Sequence, residues 1–125
     1  MVIGIGCDII EIGRISRALA KDAFIKKVFT PKEEAYCRER NTQAVSSFAV
    51  RFAAKEAVLK ALGTGLRGGS WREIEVVSDA LGRPSIELGG FYGQLARTLG
   101  IKNIHVSLSH GRETALAFVV LEDGK

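Results

Sequence analysis

Arg51-Phe52-Ala53-Ala54-Lys55-Glu56-Ala57-Val58-Leu59-Lys60-Ala61 puts an acid where an amphipathic helix should be apolar. At about 100° per residue, Val45, Phe48, Phe52 and Leu59 fall within one arc, and Glu56 lands inside it. Such a stripe faces a core, and an unpaired carboxylate is costly to bury there. A metal ion, the ammonium of Lys60 one turn on, or a local opening to solvent would each satisfy the charge. Spacing alone leaves all three open.

Outward from this stretch, the helix is expected to end at Leu62, with Gly63 as its stop. It is separated from a preceding helix by Asn41-Thr42-Gln43. That preceding helix opens on Thr30-Pro31-Lys32-Glu33, with Thr as N-cap, proline in the first turn and Glu33 closing a capping box, and should run to about Arg40. Val2 to Ile10 is a β-branched, glycine-punctuated run that reads as a buried strand. A helix follows it, with Ile12, Ile15 and Leu19 on one face, and Asp22 to Phe29 makes a second helical piece or an irregular extension. Glu73 to Ser78 and Pro84 to Leu88 form one hairpin across Asp79 to Arg83, Gly89 to Leu99 a short helix, and Ile104 to Ser109 with Thr114 to Leu121 a second hairpin turning at Gly111-Arg112. This order predicts an α+β fold, a largely antiparallel sheet packed against a long helix and shorter helices.

With 125 residues, 46% apolar and 26% charged, the chain reads as a single domain over 1–125 that buries roughly two thirds of its unfolded surface. The net charge of +4 suits an acidic partner or a phosphorylated substrate without selecting between them. Cys7 and Cys37 form neither a disulfide framework nor a zinc pattern. The N-terminal apolar run lacks a basic lead and is interrupted by Asp8, so it does not read as a signal peptide, and no stretch approaches the roughly 20 apolar residues of a membrane span. A cytoplasmic address is expected.

Asp8 is a second misplaced carboxylate. It shares a strand face with Gly4 and Gly6, which allow a backbone, helix or ligand to approach closely. Alone, Asp8 reads as a cap for the following helix. Paired with Glu56 it would need a cation, and oxygen ligation by few protein groups suits Mg²⁺, which keeps waters and prefers phosphate ligands. Arg51, Lys55 and Lys60 are either solvated and salt-bridged bases or holders of phosphate beside that cation. The loop Gly63-Thr64-Gly65-Leu66-Arg67-Gly68-Gly69 follows a helix and lacks a Gly-Lys-Ser/Thr ending, which argues against a Walker-type loop and for a flexible, substrate-facing one. His105, Ser107 and Ser109 share a strand face, but no acid completes a Ser-His-Asp arrangement. Arg14, Arg17 and Lys21 make a basic helix face, either solvated or receiving an acidic partner with Phe24 or Ile25 as an apolar anchor. Nucleic acid is disfavoured because no aromatic stacking platform accompanies the bases.

Together Gly4-Ile5-Gly6-Cys7-Asp8-Ile9, Arg14-Ile15, Phe29-Thr30, Arg51-Phe52-Ala53-Ala54-Lys55-Glu56-Ala57, Lys60-Ala61-Leu62-Gly63-Thr64-Gly65, Gly82-Arg83-Pro84 and His105-Val106-Ser107-Leu108-Ser109-His110 closely resemble the bacterial holo-acyl-carrier-protein synthases, the single-unit phosphopantetheinyl transferases of fatty-acid synthesis. The resemblance spans nearly the whole chain. It implies that Asp8 and Glu56 bind Mg²⁺ with the pyrophosphate of coenzyme A, and that Lys60 offsets phosphate charge. It also implies that Arg51 and His105 contact the nucleotide phosphates while Gly65 and Pro84 shape the coenzyme pocket, and Lys55 and Lys60 are expected among the residues that bind the coenzyme. The carrier protein's serine would attack the β-phosphate, a nearby carboxylate or a water at the cation would take its proton, and 3′,5′-ADP would leave. Arg14, Arg17, Lys21 and Phe24 would receive the acidic helix of the apo-acyl carrier protein, and a homotrimer with active sites at subunit interfaces is implied. One departure stands out: Ser78 occupies a position where the family often has Asn. Two other readings remain at this level, a non-catalytic adaptor for acidic helices and a Mg²⁺-dependent nucleotide phosphohydrolase.

Overall fold

A computed structural model describes residues 1–125. The chain begins with strand β1 (Val2–Glu11), followed by helices α1 (Ile12–Ala18), α2 (Asp22–Val28) and α3 (Pro31–Arg38). A 3-10 turn (Asn41–Gln43) leads into the long helix α4 (Ala44–Leu62). A second 3-10 turn (Trp71–Glu73) precedes the hairpin β2 (Ile74–Ser78) and β3 (Pro84–Leu88), then helix α5 (Gly90–Leu99) and the closing hairpin β4 (Asn103–His110) and β5 (Thr114–Glu122).

The expected α+β class and antiparallel pairing are what the chain adopts, but the strands divide into two sheets. β5 is central in the order β1-β5-β4, while β2 and β3 pair only with each other. The first and last strands are therefore neighbours, with Asp8 opposite Ala117. Local chemistry explains the element ends. The Thr30 hydroxyl accepts from the Glu33 N–H at 3.2 Å and the Glu33 carboxylate accepts from the Thr30 N–H at 2.9 Å, so the capping box forms as read. Gly63 closes α4 at φ 79°, a left-handed cap that most side chains would strain. The Asp79 carboxylate accepts from the N–H groups of Leu81 and Arg83 and folds the β2–β3 turn. Helix α3 stops at Arg38, two residues short of the expected end, because the chain turns there toward the 3-10 segment.

Helix α4 departs from the one-sided stripe expected of it. Twelve of its nineteen residues are buried, and Lys60 alone is exposed. The helix is central: the β1-β5-β4 sheet covers one side, and the shorter helices and β2 cover the rest. A helix enclosed in this way shows no clean periodicity, since every face packs against a neighbour. On the sheet side, Ala53, Ala57, Ala115 and Ala117 are all fully buried and let helix and sheet approach closely. The approach is tightest at β1. A Cβ on Gly4 would overlap the Ala61 carbonyl oxygen, and one on Gly6 would overlap that of Ala57 and stand 2.9 Å from the Ala61 nitrogen. Backbone cannot yield as a flexible side chain can. Gly6→Ala should therefore destabilise the fold by about 3 kcal/mol in urea titration; a loss within 0.5 kcal/mol, on the order of an ordinary surface change, would show that α4 does not depend on this contact.

Candidate active site

The β1–α4 contact brings Asp8, on the helix-facing side of β1, against the last turns of α4. The Lys60 ammonium donates to Asp8 Oδ1 at 3.0 Å and to the Cys7 carbonyl at 3.0 Å. Lys60 is thus the partner of Asp8 and not of Glu56, although Glu56 lies one turn before it. The Asp8 side chain is 17% exposed and that of Lys60 is 55% exposed. Glu56 is half-buried, and its carboxylate makes no hydrogen bond or ion pair with the protein. Burial first, and the Asp8 charge second, push its carboxyl pKa up, while Lys60 and Arg14 pull against them. The hydrogen bond from Lys60 to Asp8 raises the ammonium's own pKa in turn. Two of the three ways of satisfying Glu56 remain, the metal and the solvent opening.

The donor set fits a small hard cation. Glu56 has both carboxylate oxygens free of protein partners, and the second oxygen of Asp8 accepts no hydrogen bond. Mg²⁺ takes few protein carboxylates and completes its shell with water and phosphate oxygens, so two protein ligands are enough. A cation would also relieve the mutual repulsion that lifts the Glu56 pKa.

A second feature lies at the other edge of the sheet. A cavity of about 440 Å³ is lined by Tyr36, Arg40, Ser47, Arg51, Ser78 and Pro84, among others. Arg51 is only 4% exposed there. Its guanidinium donates to Ser47 Oγ at 2.9 Å and to Ser78 Oγ at 2.7 Å, and stands 4.2 Å from the centroid of the Tyr36 ring. Its buried Nε–H has no partner. Arg40 lies 5.6 Å from the same ring, so the hollow is cationic with an aromatic wall. Such a lining suits an anion attached to a flat ring. Ser78, where an amide was usual, is therefore one of the groups that fix Arg51.

The predicted residues do not all meet. Asp8, Glu56 and Lys60 come together at the β1 edge, whereas Arg51 and Pro84 line the cavity at the β4 edge, with β5 between. Two strand spacings, about 10 Å, separate β1 from β4. His105 joins neither group. It faces away from α4 beside Val120, with its side chain 61% exposed and its Nε2 3.5 Å from Glu122. Gly65 lies in the exposed loop after α4 with φ +64°. Arg14, Arg17 and Lys21 are exposed along one side of α1 and the turn after it.

Three expectations need correction. Lys55 contacts no solvent: it is fully buried and donates to Glu33 Oε1 at 2.8 Å, the Trp71 carbonyl at 3.1 Å and the Ile74 carbonyl at 2.7 Å. All three ammonium donors are used, leaving none for a nucleotide phosphate. Burial drives its pKa down, and the Glu33 carboxylate opposes that shift. Ile25 is buried in the core, and Phe24 is half-buried between Phe29 and Phe52 at centroid distances of 6.1 and 6.0 Å. Neither is a free apolar anchor, because short α2 has to turn its apolar side onto α4. Conversely, Tyr36, Arg40, Ser47 and His110 line the cavity unforeseen. Cavity-lining residues from α3, α4, β2 and β4 carry no sequence spacing that would group them.

Two measurements follow from these environments. Lys55→Met leaves the Glu33 carboxylate buried with its cation gone, and should cost about 3 kcal/mol of stability in urea titration. For Glu56, the folded-state pKa is raised, so ionisation is harder in the folded chain than in the unfolded one. In metal-free protein its contribution is then least unfavourable below the ordinary glutamate range, and stability falls as pH rises through the raised folded value. Glu56→Gln in EDTA should raise Tm by roughly 1–3 °C at pH 7, with the gain vanishing near pH 4, about the ordinary glutamate pKa. A Tm difference independent of pH would contradict this account of the carboxylate.

Known proteins place this geometry in context. Residues 4–119 match the 4′-phosphopantetheinyl transferase superfamily. The holo-[acyl-carrier-protein] synthase of Trichlorobacter lovleyi is 50% identical over 125 residues, covering 98% of this chain and 98% of that protein. The crystal structure of holo-[acyl-carrier-protein] synthase from Neisseria meningitidis superposes with a TM-score of 0.89 at 40% identity, over 98% of this chain and 99% of that one. A holo-(acyl-carrier-protein) synthase from Bacillus anthracis in complex with CoA (3′,5′-ADP) does so with a TM-score of 0.82 at 36% identity, over 99% of both chains. Sequence and fold agree over nearly the whole length, and the chain belongs to the 4′-phosphopantetheinyl transferase superfamily.

Proposed function

We propose that this chain transfers the 4′-phosphopantetheine group of coenzyme A to a serine of an apo-acyl carrier protein and releases 3′,5′-ADP, with Mg²⁺ held by Asp8 and Glu56. The observation that carries the reading is the half-buried Glu56 carboxylate, which has no protein partner and whose pKa is raised by burial first and by the Asp8 charge second. Family membership and the likeness to a coenzyme-bound relative support the same chemistry. Bound at these carboxylates, Mg²⁺ supplies Lewis-acid polarisation of the phosphate oxygens.

The chain's own residues supply the rest. Lys60, held at 3.0 Å by Asp8, keeps a fixed positive charge where a pyrophosphate would gather negative charge. The serine oxygen forms a bond to the β-phosphorus as the bond from that phosphorus to 3′,5′-ADP breaks. The serine proton would pass to a nearby carboxylate or to a water held at this site. Arg51, fixed by Ser47, Ser78 and Tyr36, presents its guanidinium to the nucleotide end with Pro84 beside it. The exposed bases Arg14, Arg17 and Lys21 suit an acidic helix of the carrier protein.

The same geometry supports an assembly of copies. One chain holds its carboxylate pair and its cationic cavity at opposite edges of a sheet. The outer sheet face is apolar and uncovered, with Ile5 61%, Ile9 66%, Phe118 44% and Leu116 39% exposed. A homotrimer that covers this face and sets the cavity of one copy against the carboxylates of the next would complete the site, and would place His105 within the interface. No helix is long and apolar enough to cross a membrane. We place the activity in the cytoplasm, as one transferase domain over residues 1–125.

Intact-mass measurement of an apo-acyl carrier protein, incubated with this chain, coenzyme A and Mg²⁺, tests the proposal. One phosphopantetheine should appear on a serine and be absent in EDTA. Asp8→Ala and Glu56→Ala should each lower turnover by roughly 10²-fold or more while the variants stay folded. Coenzyme A consumed at comparable rates without carrier protein would point to hydrolysis instead. Full transfer by both variants would sink the assigned site.

A further inference from the structure

The segment from Gly63 to Gly69 leaves α4 one turn beyond Lys60 and is exposed over most of its length. It carries left-handed glycines at Gly63 (φ +79°), Gly65 (φ +64°) and Gly68 (φ +83°). Such a stretch loses much conformational freedom when held in one shape. Inside the segment, only a bond from the Thr64 hydroxyl to the Gly65 carbonyl and one from the Arg67 N–H to the same carbonyl tie the backbone to itself. One side chain from outside hydrogen-bonds to it. The Tyr92 hydroxyl accepts from the Arg67 N–H at 2.9 Å and can donate to the Gly65 carbonyl at 3.2 Å or the Arg67 carbonyl at 3.3 Å. One proton serves one carbonyl at a time, so the hydroxyl spans both ends of the turn.

Its mount is rigid. Tyr92 is fully buried and stacks edge-on against Phe91 at a centroid distance of 5.2 Å. The Phe91 N–H donates to Glu73 Oε1 at 3.1 Å and the Gly89 N–H to the Glu73 carbonyl at 2.9 Å, which pins the start of α5 that its own Gly89 cap leaves open. Gly68 and Gly69 complete the clasp: a Cβ on Gly68 would stand 2.8 Å from the Phe91 ring, and one on Gly69 2.6 Å from the Tyr92 ring. The buried end of the tyrosine thus serves packing, and its polar end serves an exposed loop.

We infer that the Tyr92 hydroxyl is a positioning group for coenzyme A binding, fastening the Gly63–Gly69 loop in its binding shape next to the helix end that carries Glu56 and Lys60. The inference rests on the transferase reading above. A loop already held in shape is not ordered at the expense of ligand affinity, so loosening it acts on binding more than on the chemical step.

Tyr92→Phe in the full chain removes the hydroxyl and keeps the ring. Amide exchange over residues 65–69 should accelerate about fivefold to tenfold, and KM for coenzyme A should rise about threefold to tenfold. The kcat at saturating coenzyme, the KM for carrier protein and the Tm should stay near the wild-type values. Phe91→Ala, at a position 43% exposed, loosens the loop's other contact and should shift KM for coenzyme A in the same direction. If Tyr92→Phe does not fold, Phe91→Ala decides: a raised KM for coenzyme A sustains the inference and an unchanged one overturns it. Unchanged loop exchange in Tyr92→Phe overturns the fastening, and faster exchange with an unchanged KM overturns its link to the coenzyme. A fall in kcat, carrier affinity and Tm together reduces Tyr92 to a packing residue. Failure of the transferase reading is separately visible, because wild-type protein would then modify no carrier while the exchange measurement, made on the chain alone, still reads the latch.

Discussion

Backbone-to-backbone contact between β1 and α4 is the constraint on which the rest of the molecule depends. Gly4 and Gly6 have no room for a Cβ, because the carbonyl oxygens of Ala61 and Ala57 already occupy that space. The alanines on the facing sides of α4 and β5 extend the same close approach across the sheet. Distances among Asp8, Glu56 and Lys60 follow from it. Side chains standing between strand and helix would hold them further apart and leave a short aspartate out of reach of a helix residue. Here Asp8 bonds Lys60 directly, and Glu56 stands near enough to feel the same charge.

A buried ion pair holds the opposite side of α4. Glu33 serves at once as the capping-box acid of α3, the partner of Lys55 and the acceptor for the Val76 N–H at 2.8 Å. One carboxylate thereby joins α3, α4 and β2. Burying both charges carries a desolvation cost, so the pair is better viewed as fixing where these elements meet than as a source of net stability. Replacing either partner alone would leave an orphaned charge among Phe29, Ile74 and the aromatic cluster. The pair also separates the bases of α4 by task. Lys55 points into the core, Arg51 into a cavity and Lys60 into the carboxylate centre, as steps of about 100° along a fully enclosed helix require.

These two anchors give the molecule a polarity. The carboxylates gather at one edge of the three-stranded sheet and the guanidinium-lined hollow at the other, while the face turned away from α4 remains apolar. The homotrimer proposed above would join these opposite edges across the uncovered apolar face. The loop after α4 fits the same design: its glycines need a shape imposed from outside, and a core tyrosine imposes it.

Much of this was legible in the sequence. The capping box at Thr30 and Glu33, the left-handed stop at Gly63, the Asp79 turn and the alternation of the last two strands are local signals, each set by bonds within a few residues. Asp8 and Glu56 stood out because a carboxylate in an apolar run demands a partner, and Gly4 with Gly6 announced a close neighbour. Tertiary structure alone decided who that neighbour was, that Lys60 serves Asp8 while Glu56 stays free, that Lys55 is spent on Glu33, and that His105 faces away from Arg51. Sequence spacing reports which residues share a face of one element. It carries no record of which elements meet, because close approach, desolvation and ion pairing act between segments that are distant in the chain.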